Sequence, residues 1–191
     1  MIYIRKFAFV LLIAALAGKL NAQLTAVSGG LAFSSGVDYN TGTTGNPGLY
    51  GRAYLKVNKR FHIVPTLVVF NKYKRSTFSE VIKTNMFHAD LDGMFGLYKD
   101  RSLRFLGFAG VNATSIVSKW DILIETPGSD NFKNKSDLKP GVNLGGAFQL
   151  YVNDTFDAYV SAKYVFSSFD QIVINVGAIY HLAGKRRRGS W

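Results

Sequence analysis

Met86-Phe87-His88-Ala89-Asp90-Leu91-Asp92-Gly93-Met94-Phe95-Gly96-Leu97 is the stretch that decides the fold. Taken with a period of two, it sorts into unlike sets. Phe87, Ala89, Leu91, Phe95 and Leu97 fall on one face, and Met86, His88, Asp90, Asp92 and Met94 on the other. Successive side chains of an extended chain point to opposite faces. A run with two carboxylates on one side and large apolar groups on the other therefore predicts a two-sided strand.

The same alternation recurs along the chain. In 49–57, Leu49, Ala53, Leu55 and Val57 oppose Tyr50, Arg52, Tyr54 and Lys56. In 141–151, Val142, Leu144, Phe148 and Leu150 oppose Asn143, Ala147 and Gln149. In 157–166, Ala158, Val160, Ala162, Tyr164 and Phe166 oppose Asp157, Tyr159, Ser161 and Lys163. In 171–182, Ile172, Ile174, Val176, Ala178, Tyr180 and Leu182 oppose Gln171, Asn175 and His181. Segments 24–37, 61–74 and 103–117 alternate less cleanly, and Pro65 removes a ladder donor from one of them. The expectation is eight strands. Their connections alternate in length: Asp38–Pro47 long, Asn58–Arg60 short, Arg75–Lys83 long, Lys99–Ser102 short, Lys119–Leu138 longest, Asn153-Asp154 tight and Ser168–Asp170 modest.

The N-terminal segment reads as an address. Arg5 and Lys6 precede an apolar run from Phe7 to Gly18, and Leu20-Asn21-Ala22 offers a small residue before a cut at Gln23. A cut after Ala17 is the alternative. The apolar run is shorter than the roughly 20 residues a spanning helix needs. Residues 1–22 hold three of the 23 basic residues (Arg5, Lys6 and Lys19) and no acid. That leaves 20 bases against 12 acids, a net charge of +8, on the exported chain. With no Cys, neither a disulfide framework nor a thiolate metal site is available to it.

Which face points outward separates a membrane barrel from a soluble one of lipocalin type. Arg52, Lys56, Asp90, Asp92, Asp157 and Lys163 all lie on the faces opposite the apolar rows. A charge on the lipid face costs about 2–4 kcal/mol near the midplane. The charged faces are therefore expected to line the lumen as an ion-pair network, with Arg52 or Lys163 answering Asp90 and Asp92. Tyr50, Phe61, Tyr73, Tyr98, Trp120, Tyr151 and Tyr180 near strand ends suit interfacial girdles. The predicted class is all-β: an eight-stranded antiparallel up-and-down transmembrane β-barrel behind a cleaved signal peptide. Residues 1–22 are the signal, 23–183 the barrel and 184–191 a basic tail.

In this arrangement the chain resembles the small outer-membrane barrels, the OmpA-transmembrane and OmpX/Ail-like superfamily. The resemblance lies in architecture, down to a last strand ending Ala178-Ile179-Tyr180-His181-Leu182, and involves no signature motif. It implies location in the outer membrane, with short turns and both termini in the periplasm. It departs at the C-terminus, where such proteins commonly end on an aromatic residue of the last strand and here residues 183–191 follow, ending in Trp191.

Candidate chemistry is thin. Lipid A-modifying barrels use a His with a Ser and an acid near the outer rim. His62 and His181 fall near the periplasmic ends, and His88, nearer the outer end, reads as a lumen His satisfied by a neighbouring carboxylate. Thr41–Gly48 is Gly-rich but lacks the Lys-Ser/Thr of a phosphate loop. Contact with the outside is expected from Trp120, Ile122 and Ile124 in the 119–138 loop, whose strands could continue past the bilayer. Contact with headgroups or a periplasmic partner is expected from Lys185, Arg186, Arg187 and Arg188. The expected partners are outer-membrane lipid, lipopolysaccharide and other envelope proteins, with no cofactor, metal or nucleic acid. The expected function is non-enzymatic, in envelope integrity or surface contact through outer loops. The alternatives are an accessory barrel of a secretion or motility complex and a lipid A-modifying enzyme.

Overall fold

In a computed structural model the described residues are 23–35, 46–76, 80–122, 132–168 and 170–182. The expected signal segment 1–22, Ile124 and the basic tail Lys185–Arg188 lie outside them.

The regular structure among these residues is entirely strand. The segments are β1 (Gln23–Ser34), β2 (Asn46–Lys56), β3 (Phe61–Phe70), β4 (Tyr73–Ser76), β5 (Glu80–Lys99), β6 (Leu103–Ile122), β7 (Phe132–Tyr151), β8 (Phe156–Ser167) and β9 (Gln171–His181). β3 and β4 both pair with β5 and form one barrel strand, interrupted at Asn71 and Lys72. Each strand pairs antiparallel with its neighbours in sequence, and β9 returns to β1 with Gly30 opposite Gly177. The sheet closes as an eight-stranded up-and-down barrel, the closure that a bilayer requires of a spanning sheet.

The alternation read from the sequence sets the two faces. Leu31, Leu49, Leu67, Phe95, Val111, Leu144, Phe148 and Ile174 are exposed on the outside. Inside lie two apolar clusters with a polar layer between them. The first contains Tyr50, Val68, Phe70, Met86, Ile116 and Val173. The second contains Tyr54, Val64, Met94, Phe108, Tyr159 and Ile179. A water-soluble barrel would place its apolar side chains inside and its polar ones outside. Here charged side chains are buried and the outer wall is apolar, so the wall faces lipid.

Local chemistry explains two irregular places. The β2–β3 ladder lapses between Arg52↔Thr66 and Leu55↔Ile63, where Pro65 sits without an N–H, while Pro65 remains opposite Leu91 on β5. In the β2–β3 turn, Asn58 Oδ1 accepts from the backbone N–H groups of Arg60 (2.9 Å) and Phe61 (2.8 Å). In the β8 turn, Asn153 Oδ1 accepts likewise from Thr155 (2.9 Å) and Phe156 (2.8 Å). Such Asx turns reverse the chain tightly.

Two expectations are corrected. Tyr50 is no girdle residue. It is buried in the lumen, because its position shares the inward parity of Arg52. The long connection placed at Arg75–Lys83 is mostly strand: β4 ends at Ser76, β5 begins at Glu80, and residues 77–79 join them. The length is in the strands instead, since β5, β6 and β7 have 20 residues each. A tilted transmembrane strand needs about 9–11.

Candidate functional site

The excess length lies at the end away from the short turns. On β5 the outward row Phe87, Ala89, Leu91, Gly93, Phe95 and Leu97 is the lipid-facing belt, and next come Asn85 and Lys83. The belt stops at one level across the sheet. Phe87 is opposite Ser115, and Ser115 is opposite Leu138, which is 69 % exposed. The next outward row is Asn85–Val117–Ser136, followed by Lys83–Lys119–Asn134. β4 and the ends of β5, β6 and β7 thus form a four-stranded extension above the apolar belt. It continues about 20 Å along the strands, at ~3.4 Å per residue.

The extension is rich in cations. Lys74, Arg75, Lys83, Lys119, Lys133 and Lys135 occupy its register positions, against Glu80, Asp121 and Asp137. Lys74 is the partner of Lys83, and Lys83 is the partner of Lys119, which puts three lysines in one row across three strands. Trp120 and Ile122, expected in a loop, are β6 residues, with Trp120 between Ile82 and Lys133 in the ladder. A composition count along the chain hides the row, because its members lie far apart in sequence and meet only through register.

In the lumen the six expected charges are distributed as follows. Lys163 pairs with Asp90, which also accepts from Asn112 and, at 3.3 Å, from Asn143. Asn143 donates to Asp92 at 2.9 Å. Asp157 accepts from Gln149 and sits 2.8 Å from His181 Nε2. Arg52 lies between rings, 5.0 Å from the Tyr50 centroid and 4.9 Å from that of Tyr159, and donates to the Tyr159 hydroxyl. Lys56 is half-buried at the turn end, opposite His62. Lys163–Asp90 is an ion pair of the expected kind, while an amide meets Asp92 and tyrosines meet Arg52. An uncharged dipole meets a buried charge and needs no second ion to be desolvated.

His88 is fully buried. Its Nε2 lies 3.1 Å from Gln171 Nε2, the Phe70 ring stands edge-on to it at 5.0 Å, and its Nδ1 has no hydrogen-bond partner. The expected carboxylate partner is therefore replaced by an amide. Among the described residues no Ser hydroxyl bonds to this ring. Ser34 Oγ donates to Gln171 Oε1 at 2.7 Å, one residue removed from the imidazole. A nucleophile–base pair needs direct hydrogen-bond reach.

No family model matches the chain, and no curated protein matches it in sequence. Its fold has close counterparts among solved structures. Ail, the attachment invasion locus protein of Yersinia pestis, superposes with a TM-score of 0.60 at 14% identity, covering 83% of this chain and 97% of Ail. A second Ail structure, in complex with the heparin analogue sucrose octasulfate, gives 0.59 over the same shares at 14% identity. The N-terminal β-barrel domain of Pseudomonas aeruginosa OprF gives 0.57 at 10% identity, with 85% and 100% covered. Neisserial surface protein A gives 0.55 at 13%, with 83% and 97% covered. At these identities the likeness is one of fold, and it joins the apolar belt and the closed sheet in a single reading. By fold the chain is a small eight-stranded up-and-down β-barrel, similar to those of Ail, the OprF N-terminal domain and Neisserial surface protein A.

Proposed function

We propose that this barrel is non-enzymatic and makes surface contacts through its cation-rich extension, with anionic polysaccharide, including that of lipopolysaccharide, as the contacted chemistry. The row Lys74–Lys83–Lys119 carries the reading. Directly opposed positions in antiparallel strands stand about 4.5–5.5 Å apart, and like charges there are destabilising. Three cationic positions in one row across three strands suit a ligand with closely spaced anionic groups. The belt ends two rows below, so the row stands where headgroup sugars and the outside medium begin. The buried His88, with Gln171 in place of a serine, supports the non-enzymatic part. The sucrose octasulfate complex of Ail is a parallel in chemistry on the same fold.

The test is retention of vesicles carrying the full chain on immobilised heparin, with neutral dextran as the control. Retention that falls steeply with salt, and disappears in the K74Q/K83Q/K119Q triple variant, is the expected result. Equal retention of the triple variant and the native chain would sink the proposal.

A further inference from the structure

The opposite end of the barrel holds a second basic feature. A cavity of about 360 Å³ opens at the turn end, lined in part by Lys59, Arg60, Lys99, Arg104, His62 and His181. Lys59 and Arg60 come from the β2–β3 turn, Lys99 from the end of β5 and Arg104 from the start of β6. Three strand ends thus converge on one opening. Among the described residues no carboxylate lines it. Asp157 lies behind the wall, bonded by Gln149 and His181, and Asp100 sits in the adjoining turn. The rim cations Lys59, Arg60 and Lys99 are exposed, while Arg104 is half-buried. The floor is apolar: Ala26, Tyr54, Met94, Leu106 and Ile179 belong to the lower core cluster and also line the cavity.

We infer that this mouth binds a small organic anion, a carboxylate or phosphate attached to an apolar end, with the apolar part on the floor and the anionic group at the rim. The volume falls within the range of small-molecule sites, which combine an apolar lining with a few convergent polar groups. Guanidinium groups from the β2–β3 turn and from β6 offer forked donors to a planar carboxylate or a phosphate. Several cations around one concave opening also raise the local anion concentration before contact. The site is independent of the outer extension, and neither stands or falls with the other.

The full chain in nanodiscs of phosphatidylcholine would be titrated with para-fluorophenylacetate and with its neutral amide, followed by fluorine NMR line broadening. The acid should broaden saturably and be displaced by inorganic phosphate, and the amide should not bind. The R60Q/R104Q variant should weaken the acid by about tenfold or more, and K72Q, at an exposed position away from the mouth, should leave it unchanged. Heat-modifiable migration on a gel confirms that each variant is folded. If R60Q/R104Q fails to fold, K59Q/K99Q, at exposed positions, carries the same expectation. Discs containing phosphatidylglycerol separate two sources: competition assigns the anionic group to a leaflet lipid, and its absence assigns it to a soluble periplasmic solute. Equal binding of acid and amide, or unchanged acid affinity in the folded variants, overturns the site.

Discussion

Lys83 and Lys119 face each other across the β5–β6 ladder, two rows above the last lipid-facing position. In a scaffold selected only for stability, a cross-strand pair of that kind is replaced by a neutral one. Lys119→Thr, at the exposed member of the pair, is therefore expected to stabilise the barrel, by about 0.2–1 kcal/mol, while weakening any polyanion contact. Urea midpoints of vesicle-inserted protein at low and high salt check this. The gain should shrink as salt screens the native pair. A loss of stability at low salt would mean that the pair is not a source of strain.

The Lys163–Asp90 pair makes the opposite prediction, because both groups are buried. Lys163→Met leaves the Asp90 carboxylate desolvated with only amide donors, and the expected loss is about 3–5 kcal/mol. Adding Asp90→Asn removes the stranded charge while keeping a side chain that Asn112 and Asn143 can bond. K163M/D90N should therefore recover most of the loss. Equilibrium unfolding of the two variants beside the native chain measures the difference, and equal losses would show that the charge itself contributes little.

Much of the barrel was legible in the sequence because a lipid wall and a polar lumen impose a period of two. Segments 86–97, 141–151, 157–166 and 171–182 display it residue by residue. β3 was harder to see because Val64, Val68 and Phe70 face inward, so both faces of that strand are largely apolar, and Pro65 interrupts it. The extension was harder still. Above the belt both faces lose the contrast between lipid and lumen, and strands there look like loops by composition. The choice of Lys163 rather than Arg52 for Asp90 depends on cross-strand register, as does the lysine row, and neither follows from spacing along one strand.

Whether the outer wall meets lipid or water is tested by one substitution. Leu144 is 59 % exposed, so in a soluble protein Leu144→Arg would be nearly neutral. On a lipid wall it should cost about 2–4 kcal/mol near the midplane. Unfolding from vesicles gives the value. A change below about 0.5 kcal/mol, the usual size for an exposed surface site, would contradict the membrane reading.

Gly177 and Gly51 make the last comparison, and it concerns how a narrow lumen is filled. A Cβ at Gly177 would stand 2.2 Å from the Gly29 carbonyl oxygen and 2.6 Å from the Tyr50 hydroxyl. Tyr50 is thereby able to lie across the β1–β9 seam. A Cβ at Gly51 would meet nothing within 4 Å. Gly177→Ala is accordingly expected to cost at least about 1–3 kcal/mol, since backbone must shift at the strand pair that closes the barrel. Gly51→Ala should be neutral or slightly stabilising, because glycine in a strand interior loses more backbone freedom on folding. Folding yield into vesicles, read as the heat-modifiable band, ranks the two. If Gly177→Ala folds as well as Gly51→Ala, the β1–β9 seam has more room than the packing of Tyr50 implies.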